Sequence, residues 1–356
     1  MKIRTGIAVS FVGAALIATP IIAQQNSGSD ERPARQCFRE VMRLCSDTEG
    51  RGREKIRTCL QSKFTDLSPS CQDQIWDKVE NRLRENRAEN AKTYDRTALM
   101  QPTVSVAFGK DERQQVDYFA ANPVETQPPP LLMFVHGGGW SIGTRKAVQS
   151  KPVHFTGAGY AFASTGYRLL PDAPVEEQAR DVGQAIQTMR SQASKLGFDP
   201  DQIIVMGHSA GAHLAALVST DPQYAGDAFE AIRGTILLDG AGYNIPAQIN
   251  GSGSTELPGL YKRVFGDDAD RHRALSPIHH IGGADAENWL ILHVSDRESS
   301  SVRSNELGDA LTNAGLNANV IAIENTDHGR LNQELGTAAG TQATEAIDQF
   351  LKREPR

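Results

Sequence analysis

From about residue 103 onward, short apolar runs alternate with longer stretches whose apolar residues recur at helical spacing. Leu131–Val135, Tyr160–Ser164, Gln202–Met206, Gly234–Leu238, Trp289–Val294 and Asn319–Ile323 read as strands. Val175–Leu196, Ala210–Ser219, Val302–Ala314 and Thr341–Leu351 read as the helices between and after them. The strands are nearly continuous in apolar residues, as expected when both faces of a sheet are covered. Strand–helix alternation of this kind predicts an α/β architecture with a doubly wound, mostly parallel sheet. Ahead of it, Thr103–Phe108 and Gln115–Ala120 alternate in polarity around the turn-forming Gly109–Arg113.

Residues 34–91 follow a different rule. Phe38, Val41 and Leu44, then Ile56, Leu60 and Phe64, then Ile75, Val79 and Leu83 recur at helical spacing. Breaks fall at Asp47–Gly52 and at Ser68-Pro69-Ser70. This small helical module carries all four cysteines of the chain, Cys37, Cys45, Cys59 and Cys71. An even count in a short segment favours two disulfides over metal, because the close Cys-x-x-Cys pairs of zinc sites are missing. Four cysteines permit three pairings. Helices folded back to back about residue 50 set Cys45 against Cys59 and leave Cys37 for Cys71, the simplest of the three.

The first residues predict export. Lys2 and Arg4 precede an uncharged, mostly apolar stretch from Gly6 to Ala18, and Pro20 and the small residue Ala23 follow. That is the layout of a signal peptide over residues 1–23 with cleavage after Ala23, and no stable membrane span is expected after cleavage. Residues 24–33 read as a polar linker, 34–91 as the cysteine-rich module and 97–356 as the main domain. Charge separates the last two. Residues 31–96 hold 15 basic against 12 acidic side chains, whereas residues 97–356 hold 20 against 30. An acidic main domain has no basic footprint for nucleic acid, which is excluded as a partner.

Candidate chemistry lies at strand ends. Gly207-His208-Ser209-Ala210-Gly211 follows one apolar strand and opens a helix, which points to Ser209 as a nucleophile on a sharp turn. His136-Gly137-Gly138-Gly139-Trp140 ends another strand, and a glycine run lets bare N–H groups converge on an oxyanion. Gly138, Gly139 and Ala210 are the expected donors, His136 is a brace, and Trp140 is expected to line the substrate pocket. Beyond Trp289 the only histidines are His293, inside an apolar strand, and His328, in the polar segment Asn325–Gly329. His328 is therefore the general base. For the acid, Asp296 is chosen because it follows the strand Trp289–Val294 almost directly; Asp239, ending the strand Gly234–Leu238, is its rival, and Glu298 and Asp327 are weaker. No metal and no organic cofactor are implied.

These residues carry two resemblances. Cys37-x7-Cys45, Cys59-Leu60 and Leu67-Ser68-Pro69-Ser70-Cys71 resemble the cysteine-rich repeat first described in a Golgi cysteine-rich glycoprotein, which implies a stapled helical hairpin. Residues from about Asp117 to Leu351 resemble the esterase branch of the α/β hydrolases, near its hormone-sensitive-lipase-like and kynurenine-formamidase-like groups. The matching text is His136–Trp140, Tyr167-Arg168-Leu169, Asp181, Gly197-Phe198-Asp199-Pro200, Gly207–Gly211, Ser276-Pro277-Ile278 and the Asp296/His328 pair. The resemblance implies an α/β-hydrolase fold, a serine triad and a small-molecule ester as substrate. Tyr167, Arg168 and Asp181 look like an ion-paired structural core of such proteins. The segment between Leu238 and Ala286 is rich in Gly, Ser and Asn and offers no long amphipathic helix for a lid, unlike a lipase. Short or medium acyl esters are the expected substrates. Amide hydrolysis on the same triad, by a formamidase or peptidase, is the alternative. A non-catalytic scaffold whose cysteine-rich module binds an unknown partner is a third.

Overall fold

The computed structural model describes residues 31–46, 66–75, 77–78, 100–122, 127–250 and 258–353. The chain divides into two compact units, Met1–Ala98 with Gly253–Arg263, and Leu99–Ser252 with Val264–Arg356. The signal peptide, residues 24–30 of the linker, the expected Ile56–Phe64 helix and Cys59 lie outside the described residues; residues 31–33, expected as linker, open a helix instead.

In the first unit a helix spans Glu31–Leu44, and a second begins at residue 69. Val41, Leu67 and Ile75 are buried beside Cys37 and Cys71, which are joined by a disulfide. The Ser68 hydroxyl donates to Glu40 Oε2 at 2.7 Å, so the hairpin is also tied by a polar contact. Cys45 is disulfide-bonded as well.

The second unit is built on an eight-stranded sheet in the order β1-β2-β4-β3-β5-β6-β7-β8. The strands are β1 (Val104–Ala107), β2 (Gln115–Phe119), β3 (Leu131–Val135), β4 (Ala161–Thr165), β5 (Ile203–His208), β6 (Ile232–Leu238), β7 (Asn288–Val294) and β8 (Asn317–Ile323). β2 runs antiparallel to β1 and β4; every other pair is parallel. β3, β4 and β5 are buried along their whole length, which explains why their sequences are apolar runs and not alternating ones. Leu132, Phe134, Ile204, Met206, Ile236, Leu290 and Leu292 from four neighbouring strands form the centre of one core, with Ile347 and Leu351 of the C-terminal helix Thr341–Arg353 packed on it. Each such side chain contributes about 1.5–3 kcal/mol on burial.

Topology fixes where a ligand can sit. After β3 the chain crosses to β4 on one side, and then returns to β5 on the other side of β3. The loops leaving the C-terminal ends of β3 and β5 therefore part, and a crevice opens between them. Val135 and Gly207 are paired in the register at that end, so the His136–Trp140 loop and Ser209 face each other across it.

Two of the helices depart from the expected pattern. Lys151–Gly157 lies between β3 and β4, and His328–Gln333 begins where a polar loop was expected. Both are too short for an apolar period to stand out. Between β6 and β7 the described residues hold only short helices, Ile245–Asn250, Pro258–Phe265 and Ala269–Ala274, none longer than 8 residues. Among the described residues no helix is long and apolar enough to cross a membrane.

Candidate active site

Ser209 stands between β5 and the helix Ala210–Thr220 with φ 56° and ψ −122°. Such a backbone costs a non-glycine residue about 1–3 kcal/mol and persists only where its surroundings impose it. Here they do. The Ser209 N–H donates to the Leu238 carbonyl of β6 at 3.0 Å. A Cβ on Gly207 would lie 2.2 Å from the Gly211 carbonyl oxygen, and one on Gly211 2.2 Å from that of Val135. The two glycines of the pentapeptide are thus demanded by backbone against backbone, and the serine between them is pushed out of the sheet edge.

The glycine loop lies against this turn. A Cβ on Gly137 would meet Ser209 Cβ at 2.9 Å, while one on Gly139 would meet nothing within 4 Å. Gly138 and Gly139 adopt φ of 138° and 58°. Among the described residues neither N–H donates to a protein acceptor. The Ala210 N–H is the first of its helix and has no acceptor within it. Among the described residues these are the donors left open in the glycine loop and at the start of the helix after Ser209. His136 is buried and stacks on Tyr167 at 4.3 Å between ring centroids, and the Tyr167 hydroxyl donates to its carbonyl at 2.7 Å. Next to Tyr167, Arg168 pairs with the buried Asp181 at 2.7 Å. That pair holds the guanidinium well above its usual range. These residues form the structural core that the resemblance implies.

His328 opens the helix His328–Gln333, and Asp327 caps that helix by accepting from the Gly329 and Arg330 N–H groups at 2.9 Å. Its Nε2 lies 3.0 Å from Ser209 Oγ. Its Nδ1 donates to a carboxylate at 2.6 Å, and that carboxylate is Asp239, not Asp296. Asp296 is exposed, and among the described residues its carboxylate accepts from the neighbouring Ser295 hydroxyl at 3.4 Å. The correction has a lateral cause. β6 is the immediate neighbour of β5, whereas β7 is one strand further out, so the end of β6 is nearer to Ser209 by about 4.8 Å. Asp239 also follows its strand with no residue between, and φ of 44° turns it back toward the sheet.

Asp239 is fully buried and its carboxylate is held by fixed donors. Oδ1 accepts from the Val294 N–H at 3.1 Å, and Oδ2 accepts from Arg297 Nη1 at 2.6 Å as well as from His328. Burial alone would push the carboxyl up. The His328 hydrogen bond and the charges of His328 and Arg297 outweigh it and hold the group well below the usual carboxylate range. His208, at the end of β5, is pushed well below the usual imidazole range, first by burial and then by His328. It stays neutral, and its Nε2–H donates to the His328 carbonyl at 2.8 Å.

Trp140 is a second correction. Its indole is only 1% exposed, so the side chain does not line a pocket. The indole N–H donates to His213 Nδ1 at 3.2 Å, the ring packs edge-on against Phe265, and the carbonyl accepts from Gln178 Nε2 at 2.9 Å. It anchors the end of the glycine loop. His293 is buried within β7, as its place in an apolar strand suggested. Arg297 was missed by sequence reasoning, because a single arginine in a loop after a strand carries no pattern. Asp239 was visible as a rival through the same signal that favoured Asp296.

Fold and site together define an α/β hydrolase with its serine on a nucleophile elbow. The BD-FAE family model matches residues 118–310, more than half of the chain, and the chain belongs to that family. It is 37% identical over 124 residues to an esterase, LipC, of Mycobacterium tuberculosis, a match covering 33% of this chain and 30% of the relative. It is 27% identical over 244 residues to a probable isoprenylcysteine alpha-carbonyl methylesterase of Arabidopsis thaliana, covering 63% of this chain and 50% of the relative. The chain thus spans half or less of the length of these two relatives. A kynurenine formamidase of Danio rerio is 25% identical over 67% of this chain and 78% of its own. Among solved structures, esterase B of Lactobacillus rhamnosis superposes with a TM-score of 0.63 at 18% identity, covering 78% of this chain and 96% of that one. Esterase 2 of Thermogutta terrifontis, phosphonylated by sarin, gives 0.61 at 21% identity, covering 72% and 96%. At such identities the likeness is one of fold.

Proposed function

We propose that the protein is an exported carboxylic ester hydrolase acting on short to medium acyl esters through an acyl-enzyme on Ser209. The observation that carries this is the continuous link from Ser209 Oγ to His328 and on to Asp239, facing open backbone donors. With Nδ1–H given to Asp239, the Nε2 of His328 is the free acceptor, and it takes the Ser209 proton as Oγ attacks the ester carbonyl. Asp239 holds the tautomer and balances the imidazolium. The N–H groups of Gly138, Gly139 and Ala210 receive the oxyanion, each worth roughly 2.7–4 kcal/mol of barrier. His328 then returns the proton to the leaving alcohol, and water, activated the same way, releases the acid.

Substrate size is argued from what stands between β6 and β7. The described helices there have 6 to 8 residues, too short for a broad amphipathic lid that an oil–water interface could open. Each extra buried methylene adds about 0.8 kcal/mol only while a pocket holds it. Export is supported by the charged and apolar leader up to Ala23 and by the Cys37–Cys71 disulfide, a bond that persists in oxidising compartments. The cysteine-rich segment is then a stapled accessory module. The Danio rerio relative, named a formamidase, favours amide hydrolysis as the second reading.

One panel of acetyl to palmitoyl esters, with matching anilides and formamides, separates these readings. Turnover peaking between acetyl and hexanoyl esters, with Ser209 modified by a fluorophosphonate and both properties lost in Ser209→Ala, is the expected result. Preference for palmitoyl esters or for formamides, or a folded Ser209→Ala variant that keeps its turnover, sinks the ester reading.

A further inference from the structure

The oxyanion donors come from two elements, and one side chain joins those elements. Gly138 and Gly139 lie in the loop after β3, whereas Ala210 opens the helix Ala210–Thr220. On that helix, one turn past the nucleophile, stands His213, whose backbone N–H donates to the Ser209 carbonyl at 3.2 Å. Its side chain is wholly buried, and both ring nitrogens are engaged. Nδ1 lies 3.2 Å from the indole Nε1 of Trp140, and Nε2 lies 2.7 Å from the Leu275 carbonyl. The partners decide the tautomer. An indole N–H only donates and a carbonyl only accepts, so Nδ1 is bare and Nε2 carries the proton. The ring has to be neutral for this, and burial pulls its pKa down to about 4.

Trp140 ends the glycine run, and its backbone conformation has to be imposed. Its φ of 59° is left-handed, which a bulky residue keeps only where its surroundings over-determine it. The carbonyl accepts from the Leu170 N–H at 3.0 Å and from Gln178 Nε2 at 2.9 Å, and the indole is held by His213. Phe265 lies edge-on to both rings, with its centroid 5.0 Å from that of Trp140 and 5.6 Å from that of His213. The far end of the bridge is fixed as well. Leu275 follows the helix Ala269–Ala274, and beside it the Ser276 hydroxyl donates to the His272 carbonyl at 2.6 Å and accepts from the Ile245 N–H at 2.9 Å. The turn that carries the oxyanion donors has less of its own to rest on. A Cβ on Gly139 would meet nothing within 4 Å, so side-chain packing there does not aim its N–H. The turn closes on itself through the Ile142 N–H, which donates to the Gly138 carbonyl at 3.1 Å, and Trp140 stands inside that turn. Whatever fixes Trp140 therefore fixes the direction of the Gly138 and Gly139 N–H groups.

We infer that His213 is a positioning residue of the oxyanion site, which through Trp140 holds the Gly138–Ile142 turn in place against the Ala210 N–H of its own helix. The inference rests on the proposed acyl-transfer reading and deepens it. It is tested on the full chain with His213→Leu, which offers the indole no acceptor, and His213→Asn, whose Oδ1 takes the place of Nδ1. Thermal melts and titration of Ser209 with a fluorophosphonate count the folded, competent sites. Each protein is assayed with a butyryl ester and with two inhibitors. One is a propyl trifluoromethyl ketone, whose carbonyl carbon takes up Ser209 Oγ, with the proton passing to His328, while its oxygen becomes an oxyanion. The other is the unfluorinated ketone, which only fills the site. Per competent site His213→Leu should lose about 10²-fold in kcat, the scale on which a misplacement of about 1 Å acts, with KM within about three-fold of wild type. The fluorinated ketone should weaken by the same factor and the plain ketone should not, and His213→Asn should regain most of both losses. If His213→Leu does not fold, Trp140→Phe removes the indole N–H from the other side of the same bond and is read in the same way. Folded His213→Leu with kcat and fluorinated-ketone affinity near those of wild type overturns the inference. So does an equal weakening of KM and of both ketones, the mark of general packing, and so does a His213→Asn as impaired as His213→Leu. Any of these in a wild type that turns over esters defeats this inference alone. Wild type that neither turns over esters nor takes the probe defeats the proposed function, and the inference falls with it.

Discussion

Asp239 and Asp296 are both aspartates that follow a buried strand, and only one of them faces the imidazole. The difference is directly measurable. Asp239→Asn keeps the shape of the side chain, but its amide can turn an N–H toward Nδ1 and favour the wrong imidazole tautomer. kcat should fall by several orders of magnitude, about 10⁴-fold where the same change has been made in a serine protease triad. Asp296→Asn changes an exposed group and should cost no more than a few-fold. Steady-state kinetics of the two purified variants decides between them; the reverse ranking would return the acid to Asp296. Removing the acid also takes a carboxylate away from Arg297, whose side chain is mostly buried. Asp239→Asn should therefore lose stability as well as rate.

At the scale of elements, the base depends on how one short helix is held. The Lys151 side chain is wholly buried, and its ammonium donates to the Asn332 carbonyl at 2.6 Å, to Gln149 Oε1 at 3.2 Å, and lies 4.9 Å from the centre of the Phe134 ring. It thereby ties the helix Lys151–Gly157 to the helix that begins with His328. Burial pulls its pKa down to about 7. In the unfolded chain a lysine stays protonated until about 10.4. Between these values the unfolded state binds the extra proton, so stability rises with pH across that window. Relative to Lys151→Met, wild type should gain on the order of a few kcal/mol between pH 6.5 and 9.5. Urea unfolding of both proteins at the two pH values gives the difference. A difference that does not change with pH would mean that the ammonium keeps its proton throughout, held by its carbonyl partners.

On the scale of the whole molecule, the two compact units divide the work unequally. Every cysteine lies at or before Cys71, and the Ser209–His328–Asp239 link lies wholly in the unit that has none. The Cys37–Cys71 bond closes a loop with a sequence separation of 34, worth roughly 3–4 kcal/mol of chain entropy to a module too small for a large core. Reduction should therefore unfold the helix Glu31–Leu44 and the one that begins at residue 69, and leave ester turnover near its starting level. Circular dichroism and an activity assay run on the same reduced sample would show both. Loss of activity in step with loss of the disulfide would make the cysteine-rich segment part of the working site.

What the sequence determined by itself is local. Leu131–Val135 and Val175–Leu196 were legible to the residue, because burial on both faces or on one helical face writes a period into neighbouring positions. Ser209 and the glycines around it were legible because a strained turn and close backbone contact leave few residue types that fit. His328 followed from being the polar-segment histidine at the end of the strands. The tertiary structure decided which side chains from distant segments converge. Asp239 over Asp296 depends on β6 lying beside β5, a lateral order that no period encodes. Arg297 between acid and base, Lys151 under the His328 helix, and Trp140 turned inward against His213 and Phe265 depend on the same long-range packing. A periodic pattern records which face of its own element a residue occupies. Which residue waits opposite that face is set by the path of the whole chain.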